Sequence, residues 1–243
     1  MKVAIMQPTY LPWSGYFALI HSVDLFVYLD NVQFEKRSWQ QRNQIKTANG
    51  VQLLTVPVLS KGMMDQKINQ TKLDLTSKFS DKHIKSITLN YKKAPFYNYV
   101  EEKLFNAMRT NTDSLVGLNL EIIHALNDLL GISTKTIKSS SINCIGRKAD
   151  LLASICIEVG ATEYISVNGS KNYLDNSKAF DAIDIPVKYF NFKHPKHKQL
   201  FDGFIENMSV IDILMNCGEK SLGLIKAESS ISNKTIETDF NMK

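Results

Sequence analysis

Side chains that could bind an anion and move a proton occur near the start of the 243-residue chain and again near its end. Arg37 and Arg42 carry guanidinium groups, which make two-point contacts with phosphate or carboxylate. Asp30 could accept a proton from an attacking amine, and so could His194, whose position the following Pro195 stiffens. The sequence therefore predicts a site for an anionic small molecule, with Asp30 and His194 as its catalytic residues.

The first of three candidate binding segments is 7–16, which contains two prolines, a glycine, two tyrosines and a tryptophan. Proline fixes backbone angles, and Gly15 permits close approach where a helix begins. Free backbone N–H groups and the positive end of the helix dipole favour phosphate at such a position. The alternative is a tight structural loop packed by Trp13 and Tyr16. The predicted substrate-binding residues of this segment are Gln7, Tyr10, Trp13, Gly15 and Tyr16.

The second segment, 30–46, begins where a predicted strand ends, so its first residues could orient a sugar hydroxyl or an amine. Its arginines flank an apolar tryptophan, although charged loops are often only solvated surface. The predicted binding residues here are Asn31, Arg37, Trp39, Arg42 and Asn43.

The third segment, 166–175, follows another predicted strand, and its glycine allows backbone N–H groups to surround an oxyanion. Its predicted binding residues are Ser166, Asn168, Gly169, Ser170 and Tyr173.

Alternating strand and helix patterns predict the scaffold that positions these segments. Apolar stretches at 3–6 and 25–30, separated by a helix at about 15–23, indicate a βαβ unit. Parallel strands joined by a helix end at the same edge of the sheet, where ligands bind in open α/β sheets. Residues 43–58 resemble a β-hairpin with an Asn49-Gly50 turn.

We therefore predict an α/β protein with a Rossmann-like N-terminal βαβ core, a β-hairpin insertion, a helical middle segment and a return to α/β. One α/β domain is expected over residues 1–228, with a helical subdomain at about 78–131. A polar segment, 229–243, is expected to be a flexible C-terminal tail.

Composition narrows the class of protein. The formal net charge of +5 is mild and suits an anionic small molecule, but it is not concentrated enough to indicate nucleic-acid binding. No apolar run approaches the ~18–20 residues of a membrane span, and the N-terminus lacks a secretory signal, so a cytoplasmic protein without membrane insertion is expected. Three dispersed cysteines predict neither a disulfide framework nor a metal site. Motifs for P-loop, dinucleotide, α/β-hydrolase and zinc-protease sites are absent, and no cofactor is expected.

Five stretches together resemble the WbqC-like protein family, over about residues 1–220. They are Gln7 to Phe17, Asp30 to Lys46, Asn90 to Phe96, Gly160 to Ser166 and Ser209 to Gly218. The resemblance implies a bacterial protein with a role near surface-polysaccharide gene clusters, typically those of O-antigen. It brings no established reaction.

The same order of elements also resembles the HIGH-type nucleotidyltransferase fold, in which a His-x-Gly-His motif holds ATP phosphates. Here the stretch is Trp13-Ser14-Gly15-Tyr16, without either histidine. Our first hypothesis is an enzyme that transfers an acyl or aminoacyl group to the amine of a nucleotide-linked sugar, with an acyl donor or ATP as co-substrate. The alternatives are an ATP-dependent ligase or nucleotidyltransferase, and a non-catalytic sugar-nucleotide-binding subunit. A homodimer is compatible with each hypothesis.

Overall fold

The computed structural model describes residues 1–63 and 65–233, and a six-stranded sheet lies at its centre. In chain order the strands are β1 (Lys2–Met6), β2 (Leu25–Tyr28), β3 (Arg42–Thr47), β4 (Gly50–Thr55), β5 (Val58–Leu59), β6 (Lys72–Leu73), β7 (Lys135–Lys138), β8 (Glu163–Val167), β9 (Val187–Phe192) and β10 (Ser229–Asn233). The helices are α1 (Ser14–His21), α2 (Phe79–Tyr91), α3 (Tyr97–Met108), α4 (Leu115–Leu130), α5 (Lys148–Glu158), α6 (Lys171–Asp175), α7 (Ile211–Cys217) and α8 (Ser221–Ala227).

The central sheet has the order β10-β9-β8-β1-β2-β7, and its strands run parallel except β10, which is antiparallel to β9. Renumbered within the sheet, this is the doubly wound order 3-2-1-4-5-6. The predicted βαβ core, hairpin and return to α/β are confirmed, since α1 connects the parallel strands β1 and β2, and β3 pairs with β4.

Side chains alternate between the two faces of the sheet, as the twofold period of a strand requires. Val3 and Ile5 of β1 pack in one core cluster with α5, whereas Ala4 packs in the other, with α1 and α4. Both faces are therefore covered by helices, which explains why β1 and β2 read as continuous apolar runs rather than alternating ones.

The middle segment is helical, with α2, α3 and α4 between residues 79 and 130. Ser114 caps α4 by accepting a hydrogen bond from the Gly117 N–H at 3.3 Å. Gly131 ends the same helix with φ of +72°, and the next N–H, that of Ile132, donates to the Asn127 carbonyl at 2.9 Å.

The predicted tail boundary at residue 229 is wrong, because Ser229–Asn233 form β10. The polar sequence of β10 does not show a strand pattern, because the strand is formed by backbone hydrogen bonds to β9. Of its side chains, only Ile231 packs against the core. The rest of the predicted tail, 234–243, lies outside the described residues. Within residues 1–63 and 65–233, no helix is long and apolar enough to cross a bilayer.

Candidate functional site

A cavity of about 440 Å³ lies just beyond the carboxyl end of β1, and its size is typical of ligand pockets. Ala4 of β1 pairs with Ile165 of β8, and these are the two strands between which the order of the sheet reverses. Ligands of doubly wound proteins bind at this reversal. The lining residues are Met6, Thr9, Trp13, Tyr16, Trp39, Asn43, Gln44 and Asn207.

A larger hollow of about 660 Å³ lies beside α5, and none of the predicted binding residues lines it. Most of its lining is alanine, isoleucine and serine, with Asp150, Glu158 and Lys178 among its few charged residues. It does not lie at the carboxyl ends of β1 and β8. We therefore assign the candidate site to the smaller cavity, which combines aromatic and amide side chains at that edge.

Two indole rings line the cavity, and they are the only tryptophans of the chain. Trp13 is half-buried, and its ring meets that of Phe192 edge-on at 5.1 Å between centroids. Trp39 is 52% exposed, so much of its ring is available to a ligand. The guanidinium carbon of Arg42 lies 6.0 Å from the centre of the Trp39 ring. This arrangement offers aromatic surfaces for a planar ring, with a cation beside one of them.

The start of α1 is covered by the Trp13 indole. A Cβ atom added to Gly15 would overlap this ring at well under van der Waals distance, so only glycine allows the ring to lie there. The ring thus occupies the surface over the helix start where the sequence predicts phosphate. Tyr16, in the first turn, is 1% exposed and donates its hydroxyl hydrogen bond to the Gln7 carbonyl at 3.2 Å.

Buried amide side chains hold the loop 7–16 in place. Asn43 Nδ2 donates to the carbonyl groups of Tyr10 and Leu11 at 3.2 and 2.8 Å. Asn119 Nδ2 donates to the Pro8 carbonyl at 3.2 Å and to the Gln40 carbonyl at 2.8 Å. Each amide satisfies two buried carbonyl groups, which would otherwise be costly to bury.

A buried pair of side chains, Tyr10 and His83, also supports the loop 7–16. The Tyr10 hydroxyl lies 2.8 Å from His83 Nδ1, and Tyr10 has no exposed surface. Burial lowers the pKa of His83 from 6.5 to about 4, and the Thr55 backbone opposes this shift only in part. Tyr10 therefore supports the cavity wall without facing the cavity, and His83 is neutral at physiological pH.

The polar residues that begin the second segment lie at the neighbouring strand ends, outside the cavity lining. Asp30 is 1% exposed, and its Oδ1 accepts hydrogen bonds from the Ser139 hydroxyl at 3.0 Å and the Ser140 N–H at 2.9 Å. Its Oδ2 accepts from the Ser140 hydroxyl at 2.6 Å. Asn31 Oδ1 lies 2.8 Å from the same Ser139 Oγ, so the two acceptors share its single proton. These contacts join the ends of β2 and β7.

The two predicted arginines differ in environment. Arg37 is exposed, with φ of +60°, and its backbone N–H donates to Gln41 Oε1 at 3.1 Å. Arg42 is half-buried, and its Nε atom has no hydrogen-bond partner among the described residues. Of the two, Arg42 therefore has the buried donor that an anion could satisfy.

The third segment lies after β8, and none of its residues lines the cavity. Ser166 and Ser170 are buried and joined through their hydroxyl groups at 2.5 Å. Asn168 is exposed and donates to Asn191 Oδ1 at 2.9 Å, while Gly169 and Tyr173 are also exposed. These side chains are at the same edge of the sheet as the cavity but do not form its wall.

His194 lies one aromatic ring away from the cavity. Its ring is 6.2 Å from that of Phe192, which in turn contacts Trp13. His194 is buried, and neither ring nitrogen has a hydrogen-bond partner among the described residues. Burial lowers the pKa of His194, whereas the nearby Pro195 carbonyl, outside hydrogen-bonding geometry, acts in the opposite direction. His194 is therefore a neutral imidazole with two unused nitrogens.

Several residues of this region were not predicted from the sequence. Thr9, Gln44 and Asn207 line the cavity, and the Gln44 amide donates to the Asn207 carbonyl at 3.0 Å. His197 Nε2 lies 2.8 Å from Asp212 Oδ2, with both side chains 2% exposed. Gln44 could have been found as a neighbour of Asn43, but no local signal marks Asn207. Among the described residues, no group of three or more metal-ligating side chains is present.

These observations define a doubly wound α/β protein with an aromatic-walled cavity at its topological switch point. The chain belongs to the WbqC-like protein family, whose model matches residues 7–223, which confirms the resemblance noted in the sequence. It is 36% identical over 222 residues to Rv1507c of Mycobacterium tuberculosis, an uncharacterized protein, and the alignment covers 90% of this chain and 95% of that relative. No solved structure gives a significant match.

Proposed function

We propose that this protein binds a nucleotide-linked amino sugar in the cavity beyond β1 and transfers an acyl or aminoacyl group to the sugar amine. We place this reaction in the assembly of a bacterial surface polysaccharide, O-antigen included, in the cytoplasm. The observation that carries the proposal is the pair of indole rings, Trp13 and Trp39, on one cavity, with the guanidinium of Arg42 beside the Trp39 ring. Stacking of a nucleobase on an aromatic ring is worth about 1–3 kcal/mol.

Arg42 is the cation we expect to contact the diphosphate. Its Nε is buried without a partner among the described residues, so an anion would satisfy a donor that is otherwise unpaired. Arg37, which is exposed, contributes a weaker and more strongly salt-dependent attraction. Replacing Arg42 with methionine keeps most of its packing on Trp39 and removes the charge.

His194 is the proton acceptor of the proposed step. The amine nitrogen forms a bond to the acyl carbon, the leaving group of the donor departs with the bonding electrons, and His194 accepts the proton that the amine loses. Burial keeps the imidazole neutral, which is the state a general base requires. Asp30 is less suited, because both of its carboxylate oxygens accept hydrogen bonds from Ser139 or Ser140.

The binding proposal has a direct assay, because both tryptophans of the chain line the cavity. Titration with UDP, dTDP and their amino sugars should change the intrinsic fluorescence, and Trp13→Phe and Trp39→Phe should each leave one reporter. Arg42→Met should weaken binding by about tenfold, equivalent to ~1.4 kcal/mol, and Arg37→Met should weaken it less. Unchanged fluorescence with every nucleotide and sugar nucleotide would refute this use of the cavity.

The transfer step is tested by mass spectrometry of the sugar nucleotide after incubation with acyl-coenzyme A, or with an amino acid and ATP. An amide product is expected, and His194→Asn should slow its formation by about 10²–10⁴-fold while binding persists. Release of pyrophosphate without an amide product would instead favour the ligase or nucleotidyltransferase hypothesis.

One observation favours the second candidate, a non-catalytic sugar-nucleotide-binding subunit. His194 is not part of the cavity lining, and the ring of Phe192 contacts both His194 and Trp13. Catalysis therefore requires the substrate or Phe192 to shift so that the amine reaches His194. Saturable binding with no product from any donor, in the wild type, would support the binding subunit.

A further inference from the structure

Residues 193–208, which lie between β9 and α7, contribute Asn207 to the cavity wall and also carry His194. This segment contains neither helix nor strand, and Phe201, Gly203 and Asn207 have positive φ angles. Side-chain hydrogen bonds therefore contribute, beside apolar packing, to holding this segment. We call this segment the 193–208 loop.

Its main anchor is a buried charged group on α7. Asp212 Oδ2 lies 2.8 Å from His197 Nε2 and accepts a hydrogen bond from Gln199 Nε2 at 2.7 Å. Gln199 also pairs in both directions with the Ile205 backbone, at 2.9 Å each. Two side chains of the loop therefore converge on a single carboxylate oxygen.

The other oxygen of the same carboxylate connects the loop to β3, which also lines the cavity. Asp212 Oδ1 accepts from the Tyr91 hydroxyl at 2.9 Å, and the Lys46 backbone N–H donates to that hydroxyl at 3.0 Å. Lys46 belongs to β3, the strand that supplies Asn43 and Gln44 to the cavity. The Lys46 ammonium group, itself buried, donates to the Phe201 and Gly203 carbonyl groups of the loop.

The two nitrogens of His197 have contacts that suit a protonated ring beside a carboxylate. Nδ1 lies 3.0 Å from the Pro195 carbonyl, which can only accept, so Nδ1 carries a proton. Nε2 faces the Asp212 carboxylate, which accepts from Tyr91 and Gln199 as well. An imidazolium that donates from both nitrogens satisfies every contact. Burying such a pair is costly, and a role in fixing one conformation is the best-attested reason for keeping it.

We propose that the buried His197–Asp212 ion pair is the positioning element of this site, fixing the 193–208 loop so that Asn207 completes the cavity and His194 lies behind Phe192. His197 and Asp212 are positioning residues and do not touch the ligand. The inference rests on the proposed function only in taking the cavity as the binding site. The position of the loop can be measured without any ligand.

The first test is nitrogen NMR of the histidine rings in the full chain. His197 should show two protonated ring nitrogens at neutral pH, whereas His194 should show one. A His197 ring with one bare nitrogen would overturn the ion pair on which the proposal depends.

The second test is amide hydrogen exchange in Asp212→Asn and His197→Gln, with Asp113→Asn as the control, since Asp113 forms an exposed ion pair with Lys72. Exchange in the 193–208 loop should rise by about tenfold in both variants, while exchange in β1 is unchanged. The buried Lys46 amine should become reactive towards an acylating reagent, with the exposed Lys198 as the internal reference. The control should match the wild type.

The double variant His197→Gln/Asp212→Asn removes both charges of the pair together, so it tests the proposal even where a single variant fails to fold. Its loop should still exchange faster than that of the wild type. Loop exchange equal to wild type in the double variant, or a rise by the same factor in the loop and β1, would overturn the proposal.

A fluorescence titration with UDP then separates positioning from ligand binding. The double variant should bind UDP about tenfold more weakly than the wild type does. A mobile loop with unchanged UDP affinity would overturn the positioning role. Failure of the wild type to bind any nucleotide would refute the proposed function, whereas the exchange results would still report on the loop.

Discussion

The buried Tyr10–His83 pair predicts a specific loss of stability in mild acid. Folding lowers the pKa of His83 from 6.5 to about 4, so between these values the unfolded chain binds a proton that the folded protein does not. Because the unfolded state binds more protons, the free energy of unfolding must fall as the pH falls through this range. From the two pKa values, His83 alone should remove about 2 kcal/mol between pH 7 and pH 5, and about 3 kcal/mol by pH 4.

The assay is urea unfolding of the wild type and of His83→Gln at pH 7, 6 and 5. Glutamine can still contact the Tyr10 hydroxyl but does not titrate, so the variant should lack this part of the acid sensitivity. Burial also lowers the pKa of His194, but this contribution is common to both proteins and cancels in the comparison. At pH 7 the variant should be less stable by about 1 kcal/mol, because the contact is remade imperfectly.

His124→Gln is the matched control, because His124 also lies on a helix of the middle segment but is exposed. It should follow the wild type at every pH. Parallel pH profiles for wild type and His83→Gln would show that His83 is not buried as a neutral ring, and the reasoning would then be wrong. The same result would also contradict the inference that Tyr10, paired with His83, supports the cavity wall.

Three other substitutions have expected outcomes. Gly131→Ala should lower the free energy of unfolding by urea by about 1–2 kcal/mol, because its φ of +72° is unfavourable for alanine. Gly223→Ala, in a helix with open space around it, should raise that free energy by ~0.5–1 kcal/mol. Equal effects of the two substitutions would contradict this reasoning. Asn119→Ala leaves two buried carbonyl groups unpaired and should cost about 2–4 kcal/mol in the same assay; a loss below ~1 kcal/mol would mean that water replaces the amide. Gly15→Ala should displace the Trp13 ring, shift its emission and weaken UDP binding by about tenfold; an unchanged spectrum would show that the ring does not cover the helix start.

Much of the scaffold was predictable because local pattern and long-range packing agree there. The apolar runs of β1 and β2 are short, separated by a helix, and buried on both faces, which is what a parallel sheet covered on two sides requires. Trp13, Tyr16, Trp39 and Asn43 were predicted as binding residues, and the structure places them together in one cavity. Their position beyond a strand end was the informative signal.

Contacts between distant parts of the chain could not be predicted in the same way. Nothing local in β8 indicates that it lies beside β1, and β10 has a polar sequence whose pairing comes from its neighbour. Asn207 lines the cavity 163 residues after its hydrogen-bond partner, Gln44. Such residues have no pattern of their own, since their role depends on partners that only folding brings together.

The sequence alone also could not decide whether Asp30 or His194 is the better base. Both types can act as a base, so the sequence alone does not distinguish them. The structure gives the Asp30 carboxylate three donors from Ser139 and Ser140, while both His194 nitrogens have no partner among the described residues. A carboxylate whose two oxygens both accept hydrogen bonds across two strand ends is less free to take a substrate proton. A buried, neutral imidazole retains that capacity, and so the geometry favours His194 wherever the proposed site performs proton transfer.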